Sequence, residues 1–339
     1  MRDERIGFCF LDRPSTVEQI ELVQTMEKLD YTSAWVTETR LARDAFSVLG
    51  AFAAVTSRIQ LATGIVNSWT RGPALMAMTL ATLDEMAPGR VICGLGAYWD
   101  PLAWKQGIDR RKPVSQMREY VEVLRRLLNL EENITFEGEF VKVRDISLDL
   151  GHGSTREPKN VKIYVGPTGP VMTELAGEVA DGAILNGLLS PEYTGRMVKN
   201  LKDGAEKAGR DFNNYERPQL LNIAISNSDP DSAHYAAHYL VTKYLGQQPH
   251  IGLASGLEPE LIARITEVMG GWPARKNGIE DAMKLVPVET VRKMTLSGTS
   301  TQVKDRVNEW RDAGISYPVF LPLSENYDEM VRAMAPGTW

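Results

Sequence analysis

Histidine and cysteine are both scarce in this chain of 339 residues, which carries four of the first and two of the second. Two cysteines make no disulfide framework. Cys9 and Cys93 lie in apolar runs and read as buried thiols of a reducing compartment. His234 and His238 stand four apart on an expected helix, but the glutamate of an H-E-x-x-H zinc site is missing. Packing or surface histidines are the favoured reading, and no metal is expected. Basic residues are not in excess: 38 Lys and Arg against 44 Asp and Glu leave a net charge of −6. That argues against nucleic acid, whose phosphates call for a basic face. No uninterrupted apolar run approaches the ~20 residues of a membrane span. The apolar core of the N-terminal MRDERIGFCFLDRP is too short for a signal peptide. A soluble cytoplasmic protein is therefore expected. No G-x-S-x-G elbow occurs, which removes the usual serine hydrolase. The first strand–helix turn carries no G-x-G-x-x-G, and Gly94-Leu95-Gly96 lacks the third glycine.

What is present is alternation. Short apolar runs at 6–10, 33–37, 59–65, 91–95, 161–165, 183–185, 220–226 and 318–321 read as strands. Helical periodicity falls between them. Thr16 is read as the cap of the first helix, Pro73 opens a helix over 73–86, and 299–313 begins with a cap signal. Wholly apolar strands separated by helices require a parallel sheet covered on both faces. Eight such units predict an α/β (β/α)8 TIM barrel as a single domain over 1–339. A doubly wound open sheet is the alternative. Insertions break the rhythm near 131–155, which includes a hairpin turning at Gly138, and near 247–294.

In a barrel, chemistry gathers at the C-terminal ends of the strands. Here those ends carry Glu38 and Thr39, then Gly64, Ile65 and Asn67, then Gly96, Ala97, Tyr98 and Trp99. The stretch 161–187 reads strand, Gly/Pro turn, helix, strand, and its end carries Asn186. Gly166, Pro167, Gly169 and Pro170 build the turn, with glycine expected to supply positive φ. A glycine turn at a helix N-terminus suits a phosphate; a tight turn without ligand is the other reading. Glu38 reads as a general acid, a cofactor contact, or a partner for Arg40 or Arg43. Tyr98 and Trp99 could wall a ring-shaped ligand or pack the rim. Arg110, Arg111 and Lys112 read as a solvated loop or a grip on an anionic tail. In the second insertion, Met269, Trp272 and Leu285 read as helix packing before substrate contact.

Several segments in order resemble one family. They include SAWVTETRLARDAFSVLGAFAAVTSRIQLATGIVNSWTRGPALMAMTLATLDEMAPGRVICGLG, GIDRRKPVSQMREYVEVLRRLL, VGPTGPVMTELAGEVADGAILNG and LSGTSTQVKDRVNEWRDAGI. The chain resembles the bacterial luciferase-like superfamily of flavin and deazaflavin oxidoreductases, nearest the methylenetetrahydromethanopterin reductases. The resemblance implies a (β/α)8 barrel, frequent dimerisation, and coenzyme F420 or FMN as cofactor. It implies that Gly64 and Ile65 form a bulge backing the cofactor ring, in several members with a cis peptide. Glu38 and Asn67 match positions near the ring, and Gly96 lies beside it. Gly166, Gly169 and Pro170 match the phosphate-binding turn, with Glu178 and Asn186 in the same segment. Many relatives carry a histidine at Thr39, some a glutamate at Ala97, and the methanopterin reductases an acid at Cys9.

The implied activity is hydride transfer between reduced F420 or FMN and an apolar-faced organic substrate, with Glu38 as the catalytic candidate. An FMNH2-dependent two-component monooxygenase served by a separate flavin or F420 reductase is the alternative. A non-catalytic flavin-binding barrel is the third reading. A homodimer through the helices after strands two and three is expected.

Overall fold

The computed structural model describes residues 4–151, 156–271 and 273–339. Its strands are β1 (Gly7–Phe10), β2 (Ser33–Thr37), β3 (Gln60–Asn67), β4 (Val91–Gly96), β5 (Ile134–Glu137), β6 (Lys142–Ile146), β7 (Lys162–Val165), β8 (Gly182–Ala183), β9 (Gln219–Ile225), β10 (Leu296–Gly298) and β11 (Pro318–Pro322). The helices are α1 (Thr16–Lys28), α2 (Ala45–Val55), α3 (Pro73–Met86), α4 (Asp100–Lys105), α5 (Pro113–Leu128), α6 (Pro170–Val179) and α7 (Pro191–Lys207). They continue with α8 (Pro230–Gln247), α9 (Pro249–Ala254), α10 (Pro259–Met269), α11 (Gly278–Met283), α12 (Val288–Met294), α13 (Ser300–Asp312) and α14 (Tyr327–Ala333). The eight expected strands all form in the expected order. The described part of 247–294 resolves into short helices, and Trp272 lies outside the described residues.

Two compact units share the chain. One holds residues 9–184 and 200–217, and the other holds the residues through Phe8 with 185–199 and 218–339. They are called here the β3 unit and the β9 unit.

In the β3 unit, β3 pairs in parallel with β2 and β4, β4 with β7, and β7 with β8. The strands are nearly all buried, as parallel strands under helices must be. The cap of α1 is Ser15 and not Thr16. Ser15 stands three residues before Glu18, so its hydroxyl accepts the Glu18 amide while the Glu18 carboxylate accepts the Ser15 amide. Helix α5 buries Met117, Tyr120, Val121, Leu124 and Leu128, one apolar stripe at helical spacing. The hairpin β5–β6 is antiparallel. Its turn is tied to α5 by the Glu119 carboxylate, which accepts the amides of Glu139, Phe140 and Val141 at 2.8–3.0 Å. Helix α6 meets the second half of α7 backbone to backbone. A Cβ at Gly177 would lie 2.9 Å from the Ala205 nitrogen, and one at Gly204 would lie 2.8 Å from the Glu174 carbonyl carbon.

In the β9 unit, β9 pairs in parallel with β11 and β10, and β11 with the start of β1. Trp310 on α13 is buried, and its indole N–H donates to the Leu189 carbonyl at 3.0 Å. Thr299 caps α13 through a capping box with Gln302. Among the described residues no helix is long and apolar enough to cross a membrane.

Candidate functional site

The register of β3 breaks against both neighbours. Val36 pairs with Thr63, but Thr37 pairs with Ile65. On the other side Ala62 pairs with Ile92 and Val66 with Leu95, four residues facing three. One extra residue is thus inserted, a β-bulge at Gly64. The ladder gap is filled from a side chain. Thr63 Oγ1 accepts the Gly94 amide at 2.7 Å and donates to the Gly94 carbonyl at 2.9 Å. Gly64 leaves room for Thr37 and Cys9; a Cβ there would lie 3.1 Å from Cys9 Sγ and closer still to the Thr37 hydroxyl. The bulge expected at Gly64–Ile65 is therefore present, but its peptide is trans. The cis bond among the described residues is Arg13–Pro14.

The bulge throws the Ile65 side chain across two glycines. A Cβ at Gly96 would lie 2.6 Å from Ile65 Cδ1, and one at Gly166 would lie 2.6 Å from Ile65 Cγ2. Ile65, Gly96 and Gly166 are thus brought together on adjoining strand ends. The Gly166 amide donates to the Leu95 carbonyl at 2.8 Å. Neither Gly166 nor Gly169 takes positive φ, which corrects the reason expected for them. Gly166 is demanded by Ile65. Gly169 is demanded by nothing in the chain: its φ is −117°, and a Cβ there would meet no atom within 4 Å. It is the N-cap of α6, with Pro170 at the first helical position and no side-chain cap. The amides at this end have no intrahelical acceptor. Open space before a helix N-terminus fits a ligand phosphate.

Glu38 follows β2, and its amide donates to the Ile65 carbonyl at 3.2 Å, tying it to the bulge. Its carboxylate pairs with Arg71 at 2.8 Å, not with Arg40 or Arg43. The Ala45 amide reaches the same oxygen, Oε1, at 3.5 Å. Arg71 also pairs with Asp44, lies over the Phe46 ring at 5.1 Å, and its carbonyl accepts the Tyr120 hydroxyl at 2.9 Å. Burial pushes the Glu38 carboxyl above its ordinary range, although Arg71 pulls it down. Burial works the same way on Asp44, yet Ser47 and Arg71 hold that carboxyl below its ordinary range. Arg71 had no signal in the local sequence, because it lies 33 residues from Glu38. Only the general need of a half-buried acid for a cation pointed to it.

Asn67 ends β3, and its Oδ1 accepts the amides of Trp69 at 3.0 Å and Thr70 at 2.9 Å. It shapes the loop that carries Arg71. Trp69 Nε1 donates to the Ala97 carbonyl at 3.2 Å. The basic triplet is fully engaged: Arg110 with Asp100 and the Ala97 carbonyl, Arg111 with Asp109, Lys112 with Glu139. Tyr98 and Trp99 are half-buried, and Gln106 donates to the Tyr98 hydroxyl.

One expected residue does not join this group. Glu178 sits near the far end of α6, about 12 Å along the axis from Pro170 at 1.5 Å per residue. It pairs there with Arg118 and with Lys207, the latter at 3.3 Å. Burial opposes its ionisation, but these cations hold it below its ordinary range. Asn186 belongs to the β9 unit, where its carbonyl accepts Gln219 Nε2 at 3.1 Å. The described residues hold no cluster of three or more His, Cys, Asp or Glu suited to a metal. Cys9 and Cys93 are buried free thiols, pushed up by burial to about 12, in Cys9 against a smaller opposing effect of the Thr37 hydroxyl.

The profile of the family described as luciferase-like monooxygenase matches residues 7–317. The 5,10-methylenetetrahydromethanopterin reductase of Archaeoglobus fulgidus is 29% identical over 322 residues, 93% of this chain and 92% of its own. The F420-dependent glucose-6-phosphate dehydrogenase of Nakamurella multipartita is 30% identical over 243 residues, 69% of this chain and 68% of its own. Among solved structures, the coenzyme F420 dependent tetrahydromethanopterin reductase from Methanopyrus kandleri matches with a TM-score of 0.83 at 24% identity, over 98% of this chain and 96% of its own. That match shows the shared fold, the (β/α)8 class expected from the strand alternation.

Proposed function

The chain belongs to the luciferase-like monooxygenase family, and we propose that within it this enzyme passes a hydride between coenzyme F420 and an apolar-faced organic substrate. The observation that carries the reading is the β3 bulge, which lays Ile65 over Gly96 and Gly166 as an apolar platform for a flat ring. The residues present fit such a cofactor. The open Gly169–Pro170 turn suits its phosphate. Asn67 orders the loop beside the platform. F420 is favoured over FMN by the relative whose name states F420 dependence and by the methylenetetrahydromethanopterin reductases.

When bound, the deazaflavin supplies the hydride chemistry itself. The chain's part is to seat, orient and desolvate the ring. Glu38 is the catalytic candidate. Its Oε1 takes the bonds from Arg71 and Ala45, so Oε2 is the oxygen we assign to a ligand, and the raised carboxyl suits holding a proton there. Asn186 we assign to the cofactor site by the family pattern alone, and Glu178, paired at the far end of α6, to the support of the helix that the phosphate turn opens. A single barrel domain over 1–339, with additions near 131–155 and 247–294, completes the reading.

Reduced FMN activating O2, with a separate reductase supplying it, is the second reading. It is favoured by Thr39, Ala97 and the buried Cys9 thiol, which replace the acids and histidine of F420-dependent relatives. Fluorescence titration with F420 and with FMN is the first test, and binding of neither overturns both readings. Oxygen uptake with supplied FMNH2 then separates them, and stoichiometric binding without turnover supports a non-catalytic flavin-binding barrel. A homodimer is supported by Val55 on α2 and by Leu75, Met78 and Met86 on α3, large apolar side chains that are 36–56% exposed. Cytoplasmic placement is supported by the two free thiols.

A further inference from the structure

A cavity of about 500 Å3 opens in the β9 unit between α8, α12, β10 and the start of α13. None of its lining residues is among those assigned to the cofactor. Its volume is that of a small-molecule site. One wall is apolar, made by Tyr235, Val288 and Val291. The other is polar, and its hydrogen-bonding capacity can be followed group by group.

Gln302, Ser297 and Arg306 on the polar wall are already engaged. Gln302 Oε1 accepts the Thr299 amide at 2.7 Å in the cap of α13, which leaves the Gln302 Nε2 group as a donor. Ser297 Oγ is bonded to His234 Nδ1 at 2.9 Å. Arg306 is used as well: Glu309 takes two of its bonds, and the carbonyls of Thr295 and Arg292 take the others. One further donor is left over, and one ring nitrogen has no partner. His238 Nε2 is a buried ring nitrogen without a hydrogen-bond partner. Arg292 lines the cavity with an exposed guanidinium. One carboxylate lines the cavity, that of the exposed Asp305. Donors therefore outnumber acceptors around a space with an apolar back.

We propose that this cavity binds a small organic anion, a carboxylate or phosphate on an apolar body, with Arg292 and Gln302 holding the charged group and Tyr235, Val288 and Val291 covering the body. The proposal does not depend on the cofactor reading, since no residue is shared.

With four histidines in the chain, ring signals resolve by 1H–13C NMR, and a His250→Gln variant assigns one of them. Wild-type protein is titrated with phenyl phosphate, with benzoate and with neutral benzyl alcohol. The His234 and His238 signals should move saturably with either anion and not with the alcohol. Arg292→Ala should weaken binding about tenfold, the loss expected of one charge-assisted hydrogen bond. Gln302→Met keeps the length of the side chain and loses the free amide, so it should weaken binding several-fold. Equal shifts with benzyl alcohol, no saturable shift in the wild type, or wild-type affinity in both variants overturns the proposal.

Discussion

Ile65 lies across Gly96 so closely that a single methyl at position 96 would stand 2.6 Å from Ile65 Cδ1. The same side chain closes on Gly166. Gly96→Ala and Gly166→Ala should each destabilise the protein by about 1–3 kcal/mol, the usual cost of overpacking. Adding Ile65→Ala to either should recover part of the loss, since residues in contact couple by about 0.5–3 kcal/mol. Urea unfolding of the four proteins in each cycle measures the coupling. Strict additivity would mean that the glycines are not there for Ile65.

Gly169 behaves in the opposite way. Its extended φ of −117° admits any residue, and the space around it is empty. Gly169→Val should cost folding less than about 1 kcal/mol. It should weaken F420 binding at least tenfold, about 1.4 kcal/mol, by filling the phosphate turn. Thermal melts and fluorescence titration read the two effects separately. Unchanged affinity would return the turn to a purely structural role.

Glu38 sits with its carboxyl above the ordinary range because burial outweighs Arg71. A carboxyl raised in the folded state favours folding while protonated, and that contribution is lost as pH rises through its folded pKa. Glu38→Gln should therefore gain stability relative to wild type as pH rises from acid to neutral. Its hydride-transfer rate should fall about 100-fold or more if Glu38 holds the proton. Removing the cation instead, by Arg71→Met, leaves the acid unpaired. Both side chains are about four-fifths buried, so the loss should be about 1–3 kcal/mol, under that of a wholly buried pair. Melting temperatures across pH 4–8 check the two stability effects, and the rate of F420 oxidation followed by absorbance checks the third. A flat difference between Glu38→Gln and wild type would show that the carboxyl is not raised.

Glu178 has the reverse sign. Its carboxyl is held low by Arg118 and Lys207 against the cost of burial. Its contribution is present above the ordinary carboxylate range and is lost as pH falls through its depressed folded value. Because Arg118 and Lys207 are 50% and 66% exposed, Glu178→Gln should cost no more than about 1 kcal/mol, less at high salt. Cofactor affinity should not change, given its place at the far end of α6. A tenfold loss of F420 affinity in this variant would place it in the cofactor site after all.

The thiols of Cys9 and Cys93 are wholly buried and pushed to about 12, so neither is nucleophilic at neutral pH. Native protein should resist Ellman's reagent at pH 8 over an hour, and denatured protein should titrate two thiols. Rapid reaction in the native state would show that β1 or β4 opens readily.

The strand ladder was legible because parallel strands announce themselves as apolar runs, and their ends moved by a residue or two at most. The bulge was legible only through the family pattern, since Ala62, Thr63 and Gly64 carry no alternation that marks an extra residue. Its mending by the Thr63 hydroxyl was not legible, because it depends on which residue of β4 lies opposite. The turn at 166–170 was found, yet for the wrong reason at Gly166, whose constraint comes from Ile65 a hundred residues away. Arg71 was missed for a related cause: ion-pair partners are chosen in space, and the nearer Arg40 and Arg43 were the candidates visible along the chain. Positions adjacent in sequence to the signal were read well, and positions joined to it only by the fold were not.

The bulge also gives β3 two phases. Up to Thr63 its side chains alternate in step with β2 and β4, and beyond Gly64 the alternation restarts one residue out of step. Deleting Gly64 would exchange the faces of Ile65 and Val66, sending the half-buried residue into the core and the buried one outward. The half of the strand that holds the sheet together and the half that carries Ile65 are in this sense written in separate reading frames. Substitution in the second frame can reshape the surface around Ile65 while the first keeps the core unchanged.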